Sequence, residues 1–150
     1  MELSTYLPYL VNRLGQRFVS EITPALNKAG VNIQSWRVLI ALYQGGKQTV
    51  GDLSELTSIN FSTLSRVLDR MEDKNLARRQ RGADDARSFT VILTSKGKAI
   101  TEKILPYAKD LEVLATSDFT EAELNKLREL LSKLYIGLGS GNKVKERMAG

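Results

Sequence analysis

Residues 57–76, "TSINFSTLSRVLDRMEDKNL", decide how the rest of the chain is read. Leu64, Val67, Leu68 and Met71 recur at spacings of three, one and three, which gathers them on one side of a helix. The opposite side carries Ser62, Arg66, Asp69 and Asp73, flanked by Ser65 and Arg70. Asn75 tolerates the left-handed backbone that closes a helix. Residues 76–82 and 88–94 then read as strands on either side of "ADDAR", the second rich in β-branched and aromatic side chains. The pattern predicts a β-hairpin directly after the helix.

Upstream, "QTVGDLSEL", residues 48–56, reads as a short extended step followed by a helix, and "QSWRVLIALYQ", residues 34–44, as another closed by Gly45 and Gly46. Before these, Leu7, Leu10, Val11, Leu14, Phe18, Ile22 and Leu26 share one stripe of a helix over residues 6–29, ended by Gly30. Pro8 suits its first turn, whereas Pro24 is expected to kink the helix or restart it, with Thr23 available as a cap. Downstream, a fifth helix runs from Lys96 to about Ser117 through Pro106. "TEAE" at 120–123 is a capping box for a sixth, with Leu124, Leu127, Leu130, Leu131 and Leu134 on its stripe.

The expected fold is mainly α with a small β-wing, a single domain over residues 1–150. A winged helix-turn-helix over about 31–97 is flanked by N-terminal (about 6–30) and C-terminal (about 98–137) dimerisation helices, with a flexible tail over 138–150. The terminal stripes need covering, either within one subunit or across a two-fold axis.

With 150 residues, 42% of them hydrophobic, the chain can bury one core. Twenty-two Lys plus Arg against 17 Asp plus Glu favour acidic partners. There is no Cys and no His, which removes thiol and imidazole chemistry and the common zinc sites. No catalytic residue, metal site or cofactor is therefore expected. No apolar run spans a bilayer and no export signal is evident, so the expected location is the cytoplasm.

In a helix-turn-helix the second helix enters the major groove. Ser62, Thr63, Ser65 and Arg66 lie in its first turns, where base edges are reached, and Arg70 follows. Four arginines fall within ten residues of the hairpin: Arg78, Arg79, Arg81 and Arg87. Arg79 and Arg81 are candidates for contact with DNA. Arg87, beside the turn, is a candidate for the minor groove. Asp84 and Asp85 would repel phosphate if free, so Asp85 is expected to orient Arg87. The same side chains also suit an ordinary solvated surface, a winged adaptor that binds protein, or a sequence-indifferent chromosome-coating protein.

Residues 49–100 resemble the DNA-binding core of the MarR family, the multiple-antibiotic-resistance regulators. The resemblance lies in the order of helices and in Asp85, Arg87, Leu93, Thr94 and Gly97: an Asp-x-Arg wing, a strand ending Leu-Thr, and a Gly three residues on. Asn75 stands where the family commonly has Gly. The resemblance implies a homodimeric regulator, usually a repressor, on a palindromic operator in double-stranded DNA, often released by a small aromatic or anionic effector. The family's pocket lies between the dimerisation helices and the winged domain, which makes Arg13, Arg17, Trp36 and Arg37 candidate ligand residues. Trp36 equally suits a core position, and Arg13 and Arg17 plain solvation. The missing Cys argues against the peroxide-sensing branch, and the missing His against the zinc-sensing one.

Overall fold

The computed structural model describes residues 2–82 and 88–139. The expectations for Asp84, Asp85, Arg87 and most of the tail fall outside them. The chain divides into two compact units, Met1–Leu111 and Glu112–Gly150. Its elements are α1 (Leu7–Lys28), α2 (Ile33–Gly45), β1 (Gln48–Thr49), α3 (Val50–Thr57), α4 (Phe61–Asp73), β2 (Ala77–Arg81), β3 (Phe89–Leu93), α5 (Ser95–Ala115) and α6 (Glu121–Leu138).

α4 buries Leu64, Val67, Leu68 and Met71, the inward face expected from their spacing. They pack with Leu26, Val38, Leu39, Leu53, Leu76 and Val91 in the core of the first unit. Asn75 has φ 55° and closes α4: its N–H donates to Glu72 O, and the Leu76 N–H to Met71 O, each at 2.8 Å. Gly30 closes α1 in the same way at φ 73°. α3 opens on a second capping box, Thr49 with Asp52, whose hydrogen bonds hold the Asp52 carboxyl below its ordinary pKa.

One expectation changes: Pro24 does not restart α1, and Thr23 caps nothing, its hydroxyl donating to Val19 O at 2.6 Å inside one continuous helix. The expected short extended step before α3 is present, and it is a strand of the sheet. β1 pairs antiparallel with β3, giving the order β1-β3-β2, with Gln48 and Arg79 both opposite Val91.

The wing is locked to α5 through Thr94, whose hydroxyl donates to Asn75 O at 2.6 Å and accepts the Gly97 N–H at 3.0 Å. This brings Gly97 so close to the end of α4 that a Cβ there would fall on the Leu76 carbonyl oxygen. Backbone cannot move aside as a flexible side chain can. Gly97→Ala is therefore expected to cost about 1–3 kcal/mol as overpacking. The readout is the urea midpoint, and a midpoint equal to wild type would mean that the contact relaxes freely.

In the second unit, α6 opens on the Thr120–Glu123 capping box, and Arg128 pairs with Glu112 at 3.2 Å. None of its residues is buried. On α1, only Ile22 and Leu26 of the stripe are buried. Leu10 and Leu14 are 38% and 53% exposed, and Leu131 and Leu134 43% and 40%. Among the described residues no helix is long and apolar enough to cross a membrane.

Candidate nucleic-acid interface

The candidate DNA-reading face begins at Asn60, whose side-chain oxygen caps α4 by accepting the Thr63 N–H and the Ser62 hydroxyl, both at 2.9 Å. Ser62, Ser65, Arg66 and Arg70 are exposed and Thr63 is half-buried. No described residue ion-pairs or hydrogen-bonds with the guanidinium of Arg66 or Arg70. Both cations are available to an outside anion.

Asp69 shares this face and would oppose a phosphate, yet a cation from the wing pairs with it. Arg79 Nη1 lies 2.8 Å from Asp69 Oδ1 and 2.6 Å from Glu72 Oε2. Its Nη2 donates to Ser65 O at 3.3 Å, and its backbone N–H to Glu72 Oε1 at 2.7 Å. Partial burial works against the charge, but the hydrogen bonds to Asp69 and Glu72 outweigh it and raise the guanidinium's pKa. Arg79 was expected among the DNA-facing arginines; its fork is instead engaged inside the chain, tying β2 to α4. The neighbouring arginines differ. Arg78 and Arg81 are exposed, and Arg81 lies over the Phe89 ring, 5.8 Å from its centroid.

The four candidate ligand residues divide. Trp36 is 7% exposed and belongs to the core. With Arg37 it lines a cavity of about 340 Å³ that continues along Ile40, Gln44 and Leu56. Arg13 and Arg17 do not line that cavity; both are exposed on α1, with Arg17 paired to Glu21 at 2.7 Å.

A model of the MarR family matches residues 29–88. A MarR family transcriptional regulator from Silicibacter pomeroyi DSS, of known crystal structure, is 32% identical over 90% of each chain, with a TM-score of 0.81. The chain belongs to the MarR family. Two other members are similar throughout. A MarR mutant from E. coli, complexed with operator DNA, is 26% identical over 85% of this chain and 92% of that one, at a TM-score of 0.76. BpsR of Bordetella bronchiseptica, whose DNA binding is regulated by 6-hydroxynicotinic acid, is 25% identical over 86% and 98%, at 0.75. The winged helix-turn-helix of this MarR-family regulator is thus α2 to β3, and α4 is its second helix.

Several residues escaped the sequence reading. Phe61, the first residue of α4, is 61% exposed, and its ring edge reaches toward Gly51 at the start of α3. Its phase, on the flank between the inward and outward faces, was the only available signal. Lys74 donates to Gly30 O at 2.9 Å and so pins the α1–α2 turn to the end of α4. Arg79 could have been separated from Arg78, because strand alternation places it on the same face as the buried Ala77.

Proposed function

We propose that this regulator acts as a homodimeric repressor: α4 reads a palindromic operator in the major groove, and a small aromatic anion releases it. The observation that carries the reading is α4 itself, whose Leu64, Val67, Leu68 and Met71 are buried while its capped first turns leave Ser62, Ser65 and Arg66 exposed, with no partner for Arg66 among the described residues. Arg66 takes guanine O6 and N7, and Ser62, Thr63 and Ser65 take neighbouring base edges or phosphates. Arg81 touches the backbone from the wing, and Arg79 supports the reading face from behind. Arg87 at the wing, oriented by Asp85, is assigned to the minor groove on the strength of the sequence motif.

The exposed leucines of α1 and α6 are assigned to the two-fold interface, supported by their number and by the family. The cavity beside Trp36 and Arg37 is assigned to the effector, with an aromatic wall and a cation at its rim; Arg13 and Arg17 are secondary candidates. The aromatic acid acting on BpsR supports that chemistry. The chain carries out no catalysis and works in the cytoplasm, where its DNA is.

Selection of bound sequences from random duplexes tests the reading. The expected motif is a palindrome with half-site centres about 10 bp apart or a multiple. Arg66→Ala is expected to cost about 1–3 kcal/mol and to relax preference at one base position per half-site. An asymmetric motif, or a loss equal on every sequence, would remove base reading from Arg66.

A further inference from the structure

A second polar cavity, of about 230 Å³, opens between the α1–α2 turn and the C-terminal end of α4, lined by Asn27, Asn32, Ser35, Arg70 and Lys74 among others. It is smaller than the clefts that hold drug-sized ligands and suits a single small group. Its deepest polar residue is Ser35, 7% exposed. The backbone N–H of Ser35 is taken by the Asn32 side chain at 2.9 Å, but no described residue hydrogen-bonds its hydroxyl. No buried side-chain oxygen is unsatisfied among the described residues, so this hydroxyl must reach the accessible surface, and the cavity is where Ser35 meets it. That hydroxyl, on a residue otherwise buried, is open to an acceptor placed in the cavity.

Two cations face the same space. Arg70 has no partner among the described residues, and Lys74 spends one of its donors on Gly30 O at 2.9 Å. An arginine fork, an ammonium and a hydroxyl match a tetrahedral oxyanion better than a planar carboxylate. The cavity is also continuous with the reading face: Arg66, Arg70 and Lys74 follow one another at four-residue steps, each about 6 Å further along the helix axis. A recognition helix seated in a groove about 12 Å wide brings such a stripe to the bordering backbone.

We propose that this cavity is a phosphate site in which Ser35, Arg70 and Lys74 hold one phosphate group, and that in the working complex the group is a backbone phosphate of the operator. The second half rests on the DNA-reading function above; the first does not. Ser35 and Lys74 then set the register of α4 without reading sequence.

Ser35→Ala and Arg70→Gln are the variants, chosen because neither side chain holds another described residue; unchanged melting temperatures are expected. On operator duplex, Ser35→Ala should weaken binding about tenfold, and equally for every sequence. Arg70→Gln should reduce the slope of log affinity against log salt by about two, one phosphate per half-site. Replacing single phosphates by neutral methylphosphonates should find one position per half-site where the loss is largest in wild type and smaller in both variants, least of all in Arg70→Gln. A parallel titration of inorganic phosphate into free protein, followed by backbone amide resonances, should perturb Asn32, Ser35 and Lys74 in wild type only. If the variants bind DNA as wild type does while that perturbation persists, the site takes a free phosphate and the operator assignment falls. If neither DNA affinity nor amide resonances distinguish the variants, the phosphate site is overturned. A wild-type protein that binds no duplex would count against the DNA-reading function, and the phosphate titration would still decide the cavity.

Discussion

Glutamate in place of Leu10 and Leu14, or of Leu127 and Leu131, is expected to give monomers whose operator affinity is lower by about 10² to 10⁴-fold. All four leucines are substantially exposed in the single chain, and none belongs to its core. Fully burying one leucine contributes about 1.5–3 kcal/mol, so a stripe of several is a strong drive to associate, and two carboxylates in its centre oppose that drive. The loss on DNA is larger than the loss of any single contact because the second half-site is reached at millimolar effective concentration only while the subunits are joined. Because the substituted positions lie outside the core, the helical circular dichroism of the variants should match wild type. Sedimentation equilibrium is the direct measurement. A wild-type protein that is monomeric at micromolar concentration would end the two-fold reading.

The next largest effect is expected at Arg79. Arg79→Ala strips the cation from Asp69 and Glu72, leaving two carboxylates at the edge of the reading face. The Arg79 side chain is 23% exposed but Asp69 is 62%, so solvent screens part of the pair. The stability cost is about 1–2 kcal/mol, well short of that for a fully buried pair. DNA suffers more, since the freed charges face phosphate and α4 loses its tie to β2. Affinity should fall for operator and random duplexes alike, and most at low salt. Arg79→Lys keeps the charge but cannot span two carboxylates and the Ser65 carbonyl, so it should fall between. Urea midpoints and isotherms at two salt concentrations separate this from Arg66→Ala, which should leave stability unchanged and affect one base position. An Arg79→Ala protein with a wild-type midpoint and a loss confined to one base pair would make Arg79 a reader after all.

The sequence by itself determined the inward face of α4, the end of α1 at Gly30, the left-handed closure at Asn75, the capping box of α6 and the hairpin after α4. Each rests on neighbours within one or two turns, where the backbone period and the capping chemistry are local. It also marked the leucine stripes of α1 and α6, because amphipathic spacing is visible whether or not a partner is present. Tertiary structure decided the rest. β1 became a strand only by pairing Gln48 with Val91, 43 positions away in the chain. Strand alternation sets Arg79 on the other face from Arg78, but only the approach of β2 to α4 gives it two carboxylates. Gly97 carries a motif position in the sequence, but its physical reason, the Leu76 carbonyl oxygen standing where a Cβ would lie, is tertiary. Ser35 is an ordinary helix residue until the end of α4 brings Arg70 and Lys74 over it. Periodicity tells which face of an element is apolar, but the partner a polar side chain meets depends on elements far apart in the chain, and those distances are set only when the core closes.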